Sequence, residues 1–337
     1  MISIDLRVNF NLPVEIFVDY WIGDIFLLKR VMYTLSGKSQ SKGIVYAILS
    51  YALWGILPIF WKALKQINAG EILASRILWS FVFLSLILLI VGGLRDLKNV
   101  FSNAKNMLSV FLGALLITVN WFIYIWAVNS NQVIEASLGY FINPLFTIVL
   151  GVIVLKERID RWQIVSLLLA SLGVIIITVQ YGKVPWVALS LAISFGLYGL
   201  VKKLSNLTSI IGLTMETMIV APVALGYIVC KQIEGTSSLI ALPLNVLILV
   251  VLSGVVTAIP LLLFAQGAKC VPLSTMGFIQ YLAPSISLLL GVFLFKEVFT
   301  RVEFICFGLI WLALGIYSFS RKDLLNSVLE KRLFKFS

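Results

Sequence analysis

Apolar residues run along this chain in ten long stretches, at roughly 43–64, 72–92, 107–128, 133–155, 162–180, 184–201, 210–230, 244–265, 272–295 and 303–320. Charges, Gly/Pro and short polar clusters separate them. Each is close to the roughly 20 residues that carry a helix across a hydrocarbon layer about 30 Å thick. The stretches are continuously apolar, without the period-two alternation of a transmembrane barrel. The run over 106–134 carries no charge, but Asn129, Ser130, Asn131 and Gln132 make a polar turn that divides it into two crossings. The pattern predicts an all-α integral membrane protein with ten transmembrane helices.

The chain also repeats itself. Leu150–Glu157 reads LGVIVLKE and Leu290–Glu297 reads LGVFLFKE, and the same shift of 140 carries Pro144 onto Pro284 and Arg161 onto Arg301. A weaker match at a shift of 141 pairs Ala47, Trp54, Gly55 and Lys62 with Ala188, Phe195, Gly196 and Lys203, and Arg76 with Thr217. A long fixed period means two copies of one unit. The expected organisation is an N-terminal extension over 1–41, five-helix repeats over 42–180 and 184–320, and a basic tail over 321–337. Five crossings is an odd number, so the second copy enters the membrane from the opposite side. Inverted repeats of this kind build carriers that bind solute near the midplane where the halves meet.

Composition and charge narrow the picture. The chain is 61% hydrophobic and 12% charged, against about 25% charged in soluble domains, so the solvent for its surface is lipid. The net charge of +11 has no basic stripe interleaved with aromatics, which excludes a nucleic-acid face. It reads instead as a topology signal. Lys29, Arg30, Lys38, Lys42, Arg95, Lys98, Lys105, Lys156, Arg158, Arg161, Lys202, Lys203, Lys269 and the cations of 321–337 fall on one side. Only Lys62, Lys65, Lys183, Lys231, Lys296 and Arg301 fall on the other. Both termini are therefore expected in the cytoplasm. Ile2–Leu28 mixes apolar residues with Asp5, Glu15, Asp19 and Asp24, so it fits neither a span nor a signal peptide. The expectation is a start at Met32 with 1–31 over-called; an interfacial tail is the plainer alternative.

The chain has no histidine, and Cys230, Cys270 and Cys306 are scattered. That removes histidine-based triads and relays, zinc spacing and a disulfide framework. With no phosphate loop either, neither ATP nor any cofactor or metal is implied, and enzymatic activity is not expected. Ionisable residues inside spans are costly and are functional candidates by default. Arg76 lies in span 2, Glu135 opens span 4 and Glu216 lies in span 7. The expectation is that Arg76 pairs with Glu216 or Glu135 and that one carboxylate takes up a proton in the cycle. The plainer alternative is a static pair that fixes packing, with Glu135 solvated at an inlet.

Asn120, Tyr124, Tyr140, Asn143, Gln280 and Tyr281 add amides and aromatics at helical spacing. Trp54 and Trp121 offer flat walls, which suits a small, largely apolar solute. Helix-gluing amides and interfacial aromatics are the alternative. Pro144 and Pro284, with Pro58 and Pro260 elsewhere, each remove a backbone hydrogen bond, and the first two are candidate hinges. The Lys156-Glu157 and Lys296-Glu297 pairs are expected to cap and anchor helix ends.

Trp54-Gly55, Glu71-Ile-Leu-Ala-Ser-Arg76, Asn120-Trp121, Trp126-Ala-Val-Asn129 and Glu135-Ala-Ser-Leu-Gly-Tyr-Phe-Ile-Asn-Pro144 resemble the RarD branch of the EamA-type drug/metabolite transporters. Gly151, Lys156-Glu157-Arg158, Tyr198-Gly-Leu-Val-Lys202, Glu216-Thr217 and Gln280-Tyr281 continue the likeness, which covers 42–320. It implies a ten-helix permease with two EamA domains in a bacterial plasma membrane, from a branch named for a link to chloramphenicol. Its partners would be a small organic solute, the bilayer and protons; oligomeric state is open. The alternatives are an amino-acid or metabolite exporter with no drug role, a lipid scramblase, and a structural membrane subunit.

Overall fold

A computed structural model describes residues 40–91, 97, 100, 101, 103–130, 132–240, 242–296 and 300–320. The expected start at Met32, the extension, Glu297 and the basic tail lie outside the described residues. Ten helices among the described residues are long and apolar enough to cross a membrane. They are α1 Gln40–Ala63, α2 Ala69–Val91, α3 Ala104–Asn129, α4 Val133–Ile153 and α5 Arg161–Tyr181. They continue as α6 Trp186–Leu204, α7 Ser209–Ile233, α8 Leu244–Cys270, α9 Leu273–Leu294 and α10 Arg301–Ser320. The ten apolar stretches sit on these helices with ends displaced by a few residues.

Polar caps set several of the starts. The Asn103 side chain accepts from the first-turn amides of α3, and Thr208 does so for α7. Asp160 and Gln163 form a reciprocal capping box on α5, which satisfies amides that no helical carbonyl can reach. Among the described residues only α9 is broken. It runs as Leu273–Gln280, turns at Tyr281, resumes as Leu282–Leu289 and ends in a π turn, Leu290–Leu294. The break falls one turn ahead of Pro284, where the missing amide leaves the Gln280 carbonyl without its helical donor. Pro144 does not do the same: α4 passes through it unbroken.

The packing exchanges the two halves. α1 packs on α8 and α9, while α6, its counterpart five spans later, packs on α3 and α4. α2 packs on α8 as α7 packs on α3, and the pairs α2–α7, α4–α9 and α5–α10 each join a span to its own counterpart. The symmetry reaches single contacts. A β-carbon on Gly55 would lie 2.7 Å from Ile286, and one on Gly196 would lie 2.5 Å from Phe146. Trp54 and Phe195, equivalent in the two halves, meet with ring centroids 5.7 Å apart.

The repeated segments also share a backbone conformation at their lysines. Lys156 and Lys296 have φ of 54° and 59°, a left-handed turn that costs a residue with a β-carbon about 1–2 kcal/mol. In the first copy this turn aims Glu157 across the halves. Its carboxylate accepts from the Leu273 and Ser274 amides, at 2.6 and 2.8 Å, at the start of α9. The expected capping role thus holds for Glu157, but the helix it caps belongs to the other half.

Candidate functional site

With one crossing per span, the chain ends of α1 and α10 define a terminal face, and the α1–α2 and α3–α4 loops define the opposite face. Arg76 lies seven residues into α2 from the opposite face, about 10 Å deep at 1.5 Å per residue. Its guanidinium carbon sits 4.4 Å from the centre of the Trp121 ring and 5.5 Å from that of Trp61. Tyr124 and Tyr140 stand beside it, their rings edge to face with centroids 6.5 Å apart. Tyr140, at comparable depth on α4, is nevertheless 51% exposed. Arg76, Trp61, Trp121 and Tyr124 are all partly exposed. Each therefore keeps part of its surface accessible at that level.

The expected pairing of Arg76 with Glu216 or Glu135 is not what forms. Among the described residues no carboxylate lies within ion-pair distance of Arg76, and its buried Nε has no hydrogen-bond partner. Glu216 instead pairs with Lys202 and accepts from the Tyr198 hydroxyl at 3.2 Å. Glu135 accepts from the Tyr181 hydroxyl and the Val187 amide, both at 2.9 Å, so it joins the end of α5 to the start of α6. Arg76 and Glu216 enter from opposite faces, which keeps them at different depths, while Glu135 enters from the same face as Arg76 but is engaged by Tyr181 and Val187.

The register of the halves is corrected at the same time. α2 starts at Ala69 and α7 at Ser209, so Arg76 is equivalent to Glu216 rather than to Thr217. The first half carries one more residue between Gly55 and its second helix than the second half does after Gly196. Equivalent positions therefore hold opposite charges in different settings. Arg76 is partly exposed and unpaired, whereas Glu216 is 3% exposed, ion-paired and backed by Gly113, where any β-carbon would strike its carboxylate.

Between them lies an aromatic cluster of Tyr51, Trp54, Phe195, Tyr198 and Phe264, with centroids 5.2 to 6.1 Å apart. Beside it is a buried polar knot. The Tyr51 hydroxyl and the Thr147 hydroxyl both reach Gln280 Oε1 at 3.4 Å, and Thr147 also donates toward Asn143 Oδ1 at 3.3 Å. Thr147 thus links Asn143 and Gln280, both of them buried. Asn120 is not with them: its Nδ2 donates to the Leu191 carbonyl and Ser194 hydroxyl of α6, both at 2.9 Å. Tyr281 turns away too, bonding the Phe141 carbonyl at 3.3 Å and packing among Ala170, Ile310 and Ala313.

Sequence reasoning missed Lys202, Tyr51 and Thr147 as partners. Tyr198 and Lys202 stand four residues apart, the spacing that puts side chains on one helix face, and this was the available signal. It also missed Glu71, which is fully buried and holds the α7–α8 loop through Ser237 Oγ at 2.5 Å, the Ser238 amide at 2.9 Å and the Ser238 hydroxyl. A separate groove of about 290 Å³ lies between α1, α9 and α10, lined by Ile44, Ile48, Phe278, Leu282 and Leu314 among others. It contains none of the candidate residues. No cluster of His, Cys, Asp or Glu able to hold a metal occurs among the described residues.

The profile of the EamA-like transporter family matches residues 41–179 and again 183–319. An uncharacterized transporter of Bacillus subtilis, YojE, is 47% identical over 287 residues, covering 83% of this chain and 94% of its own. The protein RarD of Streptomyces exfoliatus is 41% identical over 277 residues, covering 82% and 88%. A solved crystal structure covering 82% of this chain and 97% of its own has a TM-score of 0.65 at 18% identity, which speaks for the fold alone. With two matches to one family profile and relatives named RarD across most of its length, this chain is a membrane transporter of the EamA-like family, in its RarD branch.

Proposed function

We propose that this protein is a secondary carrier for a small organic solute, working by alternating access between two inverted five-helix halves, 42–180 and 184–320. The opposite face is then external and both termini are cytoplasmic in a bacterial plasma membrane, in keeping with the distribution of Lys and Arg. The observation that carries the reading is the unequal state of two equivalent sites. Arg76 and the aromatics about it are partly exposed, while the Glu216 side is closed by a buried ion pair, by the Glu157 cap on α9 and by a bond from Lys203 Nζ to the Val271 carbonyl. The aromatic cluster separates the two. That combination suits a state open to the outside and shut toward the cytoplasm.

In the return state Lys202 and Glu216 separate, and Glu216 is the group on which a proton compensates the lost partner. Untargeted comparison of metabolites inside and outside cells with and without the gene should reveal one accumulating or depleted solute class. Purified protein in liposomes should then carry that class in response to a pH gradient. Lipid redistribution without solute flux would instead establish a scramblase, and Glu216→Gln with intact pH-driven flux would remove the coupling role.

A further inference from the structure

We infer that Arg76, between the faces of Trp61 and Trp121, binds the anionic group of the transported solute, a carboxylate carried on a small aromatic or similarly flat apolar body. The inference rests on the carrier reading and names the solute class for it. The guanidinium presents five N–H donors in a rigid fork. None of them has an acceptor among the described residues, and the Nε is buried without a partner.

The equivalent position in the other half shows what such a buried charge ordinarily receives, since Glu216 has both a cation and a hydroxyl. Arg76 has only the faces of Trp61 and Trp121. Ring faces attract a cation, but they leave its edge donors open. A planar carboxylate uses that edge through two parallel N–H···O bonds while the rings remain in place.

The neighbouring hydroxyls complete the site. The Tyr124 and Tyr140 rings stand edge to face with centroids 6.5 Å apart, and a phenol hydroxyl can donate to an anion. A donor beside an arginine favours an anion over a cation or an amine. Trp61 and Trp121 provide walls for a flat apolar group. Glu71, the carboxylate nearest Arg76 along α2, is fully occupied with Ser237 and Ser238, so it does not compete for the guanidinium.

The test uses the full chain in detergent and follows tryptophan fluorescence on titration with phenylacetate, its neutral amide phenylacetamide, and phenethylamine. Phenylacetate should bind at least about tenfold more tightly than either, the size of one charge-assisted contact. Arg76→Gln should abolish that preference, and Arg76→Lys, which keeps the charge without the fork, should retain part of it. Tyr140→Phe should weaken phenylacetate alone. Elution of every variant as the same monodisperse peak as the parent separates lost binding from lost folding.

Equal or absent binding of phenylacetate and phenylacetamide by the parent overturns the inference, as does an unchanged preference in Arg76→Gln. Failure of the carrier reading shows differently. Carboxylate preference with no flux of any solute in liposomes keeps the site and removes the carrier. Flux of a neutral or cationic solute keeps the carrier and removes the anion site.

Discussion

Lys202→Met alone and Glu216→Gln alone should each destabilise the protein by about 3–5 kcal/mol, whereas Lys202→Met with Glu216→Leu should recover most of that loss. Lys202 and Glu216 are 4% and 3% exposed in their side chains, and the surrounding low-polarity groups cannot solvate a charge left behind. Removing both charges removes the desolvation cost together with the attraction, so the double replacement is mild. Tyr198 is the third member: its hydroxyl at 3.2 Å from Glu216 should make Tyr198→Phe a smaller version of the same loss. The unfolding midpoint in detergent reads the cycle directly. Single variants within about 0.5 kcal/mol of the parent would mean that the pair is not closed as described. The double variant should fold and yet not transport, because the proposed cycle opens this pair and recharges Glu216.

Gly254→Ala should be the most damaging glycine-to-alanine change among the described residues. A β-carbon there falls directly on the Trp79 carbonyl carbon and the Ser80 amide nitrogen. These are backbone atoms, which cannot swing aside as a side-chain end can. α2 and α8 would have to separate, breaking the Ser80 Oγ bond to the Gly254 carbonyl at 2.8 Å. Overpacking of this kind costs about 1–3 kcal/mol or more, and close helix approach through small residues is what holds membrane bundles together. Gly226→Ala and Gly308→Ala are the controls, since a β-carbon at either meets nothing within 4 Å. They should leave the unfolding midpoint unchanged or slightly raised, because alanine is the better helix former. A Gly254→Ala midpoint equal to theirs would contradict the packing.

The spans and the doubling were legible because each rests on a signal that survives without coordinates. Apolar runs of membrane length are set by the hydrocarbon thickness, and LGVIVLKE against LGVFLFKE is a direct copy. The chemistry was legible only in part. Asn143 and Gln280 could be named as candidates because the repeat puts their spans in corresponding positions. Arg76 was recognised as costly but assigned the wrong partner, because charge arithmetic along a sequence ignores depth and the hydrogen bonds that engage Glu135. Lys202 was read as a topology signal, since a lysine at the end of an apolar run looks the same whether it reaches outward to water or turns inward to Glu216. Tyr51 and Thr147 carry no charge and stand among apolar residues, so nothing in the sequence distinguished them from packing. The one-residue difference between the halves before α2 and α7 hid the equivalence of Arg76 and Glu216. A structure was needed to set that register.

The inversion of the two halves is the claim on which the carrier reading turns. Gln66, in the α1–α2 loop, and Asn206, in the α6–α7 loop, are equivalent at a shift of 140, and both are exposed. Each is replaced singly by cysteine in a protein whose Cys230, Cys270 and Cys306 have been changed to serine. A membrane-impermeant maleimide applied to intact cells should label Gln66→Cys and not Asn206→Cys, which should react only after permeabilisation. Labelling of both from the same side would place the two halves the same way up and contradict the account.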